Sequence, residues 1–136
     1  MGTGTHNPRP EWLPPRHVLD AVRAGRWWDA IAVEGDTGLR LVELLRAAVD
    51  GPIGPVVCDP LGPVRKTYFL VPPHTSDRWT VPGTEALGEC CYVGMPGSLD
   101  ADTSGVHWLE PPSSCTPRLV RPQLLRELLA ELRAAA

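Results

Sequence analysis

Four side chains near the middle of the sequence could carry charge-based chemistry: Asp29, Glu34, Lys66 and Glu85. Paired carboxylates can hold divalent metal ions, and a lysine can bind a phosphate group as a point charge. Residues 27–33 alternate in the manner of a β-strand, which would direct Asp29 and Glu34 to opposite faces. These two carboxylates could therefore not hold one pair of metal ions unless a bulge distorted the strand.

Each of these residues also has an ordinary structural interpretation. Asp29 could be an inward polar group that is satisfied by the backbone or by an arginine. Lys66 could protect an edge strand, and Glu85 could be a solvated loop carboxylate. His74 and His107 could act as bases or ligands, but a histidine without a visible partner is usually structural.

Length and composition narrow the class of protein. The 136 residues suffice for one small domain, and 43% hydrophobic residues suffice for a core without disulfides. The net charge of -3 argues against a broadly basic nucleic-acid binder, although twelve arginines leave a local basic patch open. Neither a membrane-spanning run nor a signal-peptide stretch is visible, so we expect a cytoplasmic protein that does not enter membranes.

Four cysteines occur, at Cys58, Cys90, Cys91 and Cys115. A cytosolic protein keeps such thiols reduced. Cys90 and Cys91 would point to opposite faces of a strand, and adding His107 and Cys115 gives no recognised zinc spacing. We therefore expect small thiols that pack like hydrophobic residues rather than a metal site.

The chain divides into a Pro-rich N-terminal arm, residues 1–15, and a single domain, residues 16–136. Within the arm, Trp12 and Leu13 could attach the segment to the domain surface. Trp12 is the tryptophan that we expect to be most exposed, and it is a candidate contact for a partner. The tryptophans in or beside predicted strands are better explained by core packing.

Periodicity and turn residues predict an α+β domain. We expect a two-layer sandwich in which a mostly antiparallel sheet of four to five strands carries helices on one face. A broad leucine stripe on the last helix is more typical of packing on a sheet than of a coiled coil, although a homodimer through it stays open. The predicted helices are 16–24, 37–49 with Asp36 as cap, and one from Pro122; the predicted strands are 27–33, 55–58, 65–71, 79–81, 91–95 and 107–109.

Residues 27–112 also carry a set of motifs in a characteristic order. Tyr68 and Phe69 form an aromatic pair that is followed by Pro72, residues 92–98 run Tyr-Val-Gly-Met-Pro-Gly-Ser, and Gly105 precedes Trp108. In order and spacing these residues resemble the N-terminal domain of bifunctional DNA primase/polymerases, the prim-pol branch of archaeo-eukaryotic primases. The segment is most similar to the short actinobacterial versions found in mobile elements. The resemblance implies an RRM-like, primase-core-like sheet.

The resemblance also implies a two-metal nucleotidyltransferase site, with Asp29 as a first acid, Lys66 near the nucleotide phosphates and Glu85 as a further acid. This sequence departs from that pattern, because a second acid close to Asp29 is missing. Lys66 stands where the family has a histidine, Leu87 where it has an arginine, and Cys90-Cys91 where it has glycines. A retained scaffold with altered ligands predicts a domain that folds but has lost catalysis.

Three functional hypotheses follow. The first is a non-catalytic primase-polymerase-like domain that needs no cofactor and binds a protein partner, a nucleotide or a nucleic acid in replication or in the DNA metabolism of mobile elements. The second is an active nucleotidyltransferase that would need Mg²⁺ or Mn²⁺. The third is a small α+β interaction protein unrelated to primases. We favour the first, because the missing second acid and the acidic pI argue against the enzyme.

Overall fold

The computed structural model describes residues 9–99 and 103–135, so residues 1–8 of the predicted arm and residues 100–102 and 136 of the predicted domain lie outside it. The described residues form seven strands and two α-helices, with a 3-10 helix at Thr75–Arg78. The strands are β1 (Leu19–Arg23), β2 (Asp29–Glu34), β3 (Val56–Asp59), β4 (Lys66–Val71), β5 (Thr84–Leu87), β6 (Tyr92–Pro96) and β7 (His107–Glu110). The helices are α1 (Asp36–Ala48) and α2 (Pro122–Ala135).

The main sheet has five strands in the order β5-β2-β4-β3-β7, and every neighbouring pair is antiparallel. Strands β2 and β3 are therefore parallel to each other, with α1 connecting them and β4 inserted between them. This is a split β-α-β unit. The predicted α+β sandwich with a mostly antiparallel sheet is confirmed, and the hairpin predicted over residues 55–71 is formed by β3 and β4.

Both helices cover one face of this sheet, which we call the helix face. The odd-numbered residues of β2 point here, as the strand alternation predicted, and they pack against the apolar stripes of α1 and α2. Leu125, Leu128 and Leu129 of α2 are buried inside the domain, as expected for a stripe that packs on a sheet. The buried members of the core on the helix face include Ile31, Val33, Leu41, Leu45, Val56, Phe69, Leu125, Leu128 and Leu129.

Neither helix in the described part of the chain has the length and apolar character needed to cross a bilayer.

The opposite face, which we call the tryptophan face, has its own core. Trp28 is fully buried there, and the Trp12 ring meets Trp28 edge-on at 5.8 Å and Trp108 at 6.2 Å between centroids. Leu13 joins the same cluster with 8% of its surface exposed. Trp12 and Leu13 thus attach the described part of the N-terminal arm to the domain.

A two-stranded antiparallel ribbon of β1 and β6 packs over the tryptophan face. The helix predicted for residues 16–24 is wrong, because β1 forms here and pairs with β6 from Leu19 opposite Pro96 to Arg23 opposite Tyr92. Val93 and Met95 of β6 bury their side chains against the tryptophans. The pairing with this distant strand outweighs a helix-like spacing of only a few apolar residues.

The free margin of β1 shows a local hydrogen bond. The backbone bonds that flank the ribbon, Ala24 N to Cys91 O and Gly97 N to Val18 O, leave Ala21 N–H pointing away from β6. That N–H donates instead to Asp20 Oδ1 at 2.8 Å.

Two further local predictions are wrong. No strand forms at the predicted edge strand 79–81, and the edge strand is instead β5. Trp79 directly follows the 3-10 helix and is buried. Its Nε1 donates a hydrogen bond to Thr84 Oγ1, in β5, at 2.8 Å. Asp36 was predicted to cap α1, but Gly35 occupies the cap position and no side chain caps the helix there. Asp36 lies in the first turn, where its negative charge interacts favourably with the positive end of the helix dipole. Its Oδ1 also lies 3.4 Å from the Arg65 guanidinium.

Candidate functional site

Strand β2 positions two of the candidate carboxylates, Asp29 and Glu34. Asp29 is its first residue and lies opposite Val71 of β4, whereas Glu34 is its last and lies opposite Lys66. Five residue-to-residue steps of extended chain separate their Cα atoms by roughly 17 Å. Because side chains alternate, Asp29 belongs to the helix face and Glu34 to the tryptophan face, as predicted.

Asp29 is closely held, with only 1% of its surface exposed. Its Oδ2 accepts a hydrogen bond from the backbone N–H of Ser76 at 2.8 Å. Its Oδ1 is equally buried and has no hydrogen-bond partner among the residues that the structure describes. A buried carboxylate oxygen without a donor is unfavourable, so Asp29 is the residue from which a candidate site is best built.

Asp29 lines a pocket of about 280 Å³, which we call the Asp29 pocket. One wall is the segment that follows β4, where His74 has a left-handed backbone (φ 75°) and the 3-10 helix begins. His74 Nδ1 lies 3.4 Å from Asp77 Oδ2, and both side chains are largely exposed at the pocket mouth. The pocket is lined by Gly25, Asp29, His74, Ser76, Asp77 and Glu89.

Gly25 brings the β1–β2 turn against the far wall of this pocket. Its φ of 101° is one that side-chain-bearing residues rarely adopt, and a Cβ there would lie 2.9 Å from both the N and the Cα of Glu89. Glycine at this position therefore allows two backbone segments to touch. That contact fixes Glu89 at the pocket rim.

A second and larger cavity, of about 530 Å³, shares Gly25 and Glu89 with the Asp29 pocket. We call it the Trp–Arg groove, because Trp12, Trp27, Arg23 and Arg26 line it. The Arg26 guanidinium lies 4.5 Å above the centroid of the Trp27 ring, which is cation–π geometry. Trp12 is half-buried, so part of this predicted partner contact packs in the core while part of it borders the groove.

Lys66 and Glu85 meet at the other end of β2, in a pocket of about 230 Å³ that also includes Glu34. We call it the Lys66 pocket. Glu34 lies opposite Lys66, and Glu85 lies opposite Ala32, so all these side chains point to the tryptophan face. The interpretation of Lys66 as edge-strand protection is wrong, because β4 lies inside the sheet between β2 and β3.

Two ionisable groups on neighbouring strands have altered pKa values, namely Tyr68 on the tryptophan face and Cys58 on the helix face. Burial, followed by the nearby Asp59 and Glu85 carboxylates, raises the pKa of Tyr68. Burial also raises the pKa of the Cys58 thiol, which Arg65 lowers in part and Asp59 raises further. Cys58 is therefore a buried thiol of low reactivity, as predicted, but the prediction of buried packing is wrong for Cys90 and Cys115, which are exposed, and Cys91 is only partly buried.

These residues do not fit a two-metal centre. Asp29 occupies one pocket while Glu34, Lys66 and Glu85 occupy another, and the two lie on opposite faces of the sheet. In the ranges 9–99 and 103–135, no group of three or more histidine, cysteine or acidic side chains could hold a metal ion. His107, the other histidine considered from sequence, is buried with Nδ1 2.7 Å from Gly105 O and has a structural role.

Comparisons with protein-family models, curated proteins and solved structures found no match for this chain. The site must therefore be interpreted from its own geometry. Ser76, Gly25 and Arg26, which shape the Asp29 end of the strand, could not be identified as site residues from the sequence. The only sequence signals near these positions are the Pro-Pro-His-Thr-Ser run at 72–76 and the Arg-Trp-Trp run at 26–28.

Proposed function

We propose that this chain is a non-catalytic, primase-polymerase-like domain that acts as a binding or regulatory module. The observation that carries this proposal is the separation of its acidic residues along β2. Asp29 is held by Ser76 N–H at one end of the strand, and Glu34 and Glu85 lie on the opposite face at the other end. Two metal ions that activate a hydroxyl and neutralise a triphosphate need carboxylates that converge.

The topology supports the family part of the proposal. The split β-α-β unit, extended by β5 beside β2, gives the four-stranded order β5-β2-β4-β3 with α1 on one face. The resemblance in sequence leads us to expect an RRM-like sheet of this kind. The scaffold is thus compatible with a primase-polymerase-like core, whereas its charged residues are distributed for a different task.

The charges favour a protein or a cationic ligand over nucleic acid. The chain has a net charge of -3, and both pockets at the ends of β2 contain more carboxylates than cations. Nucleic-acid binding draws most of its non-specific affinity from neutralised phosphates, which acidic surfaces oppose. The proposal places the protein in a reducing cytoplasm, where its four free cysteines stay unpaired.

Nucleotide incorporation tests the proposal directly. Purified protein is incubated with a primed template, nucleoside triphosphates and either Mg²⁺ or Mn²⁺, beside an active primase-polymerase as a positive control. We expect no extension from the wild-type chain or from Asp29→Ala. Template-dependent extension that disappears in Asp29→Ala would establish the nucleotidyltransferase instead.

Thermal melting provides a second, independent test. A ligand that binds only the folded state, at a free concentration a hundred times its Kd, stabilises that state by about 2.7 kcal/mol. We expect no shift of the melting temperature with nucleoside triphosphate plus Mn²⁺, or with short DNA. A shift that requires both triphosphate and metal would contradict the proposal and favour the enzyme.

A further inference from the structure

We infer that the Asp29 pocket binds an organic cation, namely a guanidinium or a primary ammonium group. This inference rests on the proposed binding function and names the chemistry of the ligand. Its starting point is the Asp29 Oδ1, an acceptor that is buried without a hydrogen-bond partner among the described residues, on a side chain that lines the pocket. A charged N–H donor that enters the pocket would supply the missing partner.

The electrostatics of the pocket lining select a positive charge. Three carboxylates belong to the pocket, from Asp29, Asp77 and Glu89, against a single histidine, His74. Asp77 is in contact with His74, whereas Glu89 makes no ion pair within the described residues. Two arginines, Arg23 and Arg26, line the adjoining groove; Arg26 places its guanidinium over Trp27, and within the described residues neither arginine supplies a partner for Asp29 Oδ1.

Size and ligand geometry favour an organic cation over a metal ion. The pocket of about 280 Å³ is far larger than the roughly 30 Å³ that one water molecule occupies in the liquid. A bare divalent ion needs several oxygen ligands converging at short range. The part of the chain that the structure describes offers no such group of three, so a larger cation with its own N–H donors suits this pocket better.

The source of the cation is either a small molecule or an arginine or lysine side chain of a protein. The Asp29 pocket opens at Gly25 and Glu89 into the Trp–Arg groove. A peptide could place its cationic side chain in the pocket and its neighbouring residues along the groove. A free amine or guanidine would occupy the pocket alone. The two sources therefore differ in whether binding shifts the NMR signals of the Trp12 and Trp27 indoles.

The test uses N-acetyl-arginine amide as the probe and N-acetyl-citrulline amide as its neutral isostere, in an NMR titration of the full chain. We expect saturable shifts of the Ser76 and Gly25 amides with the arginine probe and none with citrulline. Asp29→Asn keeps an acceptor for Ser76 N–H but removes the charge, and it should weaken binding at least about tenfold. Glu131→Gln removes an equal charge from the exposed surface of α2 and should change binding less than about twofold.

A third titration uses the pentapeptide acetyl-Ala-Ala-Arg-Ala-Ala-amide to distinguish the sources. Tighter binding with added shifts at the Trp12 and Trp27 indoles assigns the site to a protein partner. Equal affinity without those shifts assigns it to a small molecule. Either outcome supports an organic-cation site.

Several outcomes would overturn the inference. One is the absence of saturable shifts with the arginine probe, and another is equal binding of citrulline; both use only the wild-type protein. A third is Mn²⁺-induced broadening of Ser76 that Asp29→Asn abolishes, which would assign the pocket to a metal. If cation binding fails while nucleotide incorporation is also absent, the inference is lost but the proposed binding module stands.

Discussion

Strand β2 ends in two different environments, although an acidic side chain stands at each end. At its start, Asp29 is buried, bonded to Ser76 and enclosed where the β1–β2 turn meets the chain before β6. At its finish, Glu34 is exposed and shares a pocket with Lys66 and Glu85. The comparison teaches that the chemistry of an acid depends on which backbone segments surround it. The Asp29 end can be specific for a ligand, whereas the Glu34 end is a solvated cluster of charges.

The largest expected difference between the two ends comes from their glycines. Gly25→Ala should destabilise the fold by about 4 kcal/mol, since an unfavourable φ is added to overlap with the Glu89 backbone. Gly35, directly after Glu34, also has a positive φ of 72°, but a Cβ there would meet nothing within 4 Å. Gly35→Ala should therefore cost about 2 kcal/mol, from the backbone conformation alone. Urea midpoints measure both, and equal losses would show that the Asp29 end is not tightly enclosed.

The next effect concerns Trp12, which borders the groove beside the Asp29 end. Trp12→Ala should lower the free energy of unfolding by about 2 kcal/mol, because contacts with Trp28 and Trp108 are lost. Tyr92→Ala is the comparison on the exposed surface, where 61% of the side chain is accessible, and it should cost less than about 1 kcal/mol. Denaturant unfolding followed by circular dichroism distinguishes them. An unchanged midpoint for Trp12→Ala would mean that this side chain is free to serve a partner alone.

The acids themselves should differ by a smaller amount. Asp29→Ala should cost about 1 kcal/mol, because the loss of the bond from Ser76 is partly offset by removal of the unpaired Oδ1. Glu34→Ala should change stability by less than about 0.5 kcal/mol, as is usual for an exposed residue. Thermal and urea unfolding of both variants provide the measurement. A larger effect from Glu34→Ala would reverse the contrast between the two ends.

The smallest expected effect is electrostatic and concerns the pKa of Tyr68, near the Glu34 end of β2. Because the Glu85 carboxylate contributes to the raised pKa of Tyr68, Glu85→Gln should lower that pKa. The stability linked to Tyr68 is complete below its unfolded-state pKa of about 10, and is lost as pH rises through the higher folded-state pKa. Absorbance titration in a Tyr92→Phe background isolates this phenol. Glu131→Gln is the matched control, and an equal shift with that variant would show a general charge effect instead.

Strands with a continuous apolar run could be predicted from sequence alone. β2 buries residues on both sides, so the residues on each of its faces followed directly from the pleat, and the leucine stripe of α2 identified the buried side of that helix. β1 could not be predicted in this way. Val18, Leu19 and Val22 fit a helical spacing, and the segment becomes a strand only because β6, some seventy residues later, supplies its partner.

The site was predictable only where side chains define it. Asp29 was identified as a candidate acid, and Lys66 and Glu85 proved to share one pocket. The donor to Asp29 is a backbone N–H of Ser76, and Gly25 acts through its lack of a side chain. Neither contribution depends on a reactive group that sequence inspection would select, so the enclosed character of Asp29 became visible only in three dimensions.

The hydrogen bond between Asp20 and Ala21 has a consequence for behaviour in concentrated solution. A bare strand margin is a template on which other chains can add strands and grow into fibrils. Here the central outward-facing amide of β1 is already occupied by a carboxylate, which also places a negative charge at the margin. Two molecules that approach through these margins would meet like charges and a missing donor, which disfavours strand addition beside the exposed apolar side chains of Leu19 and Tyr92.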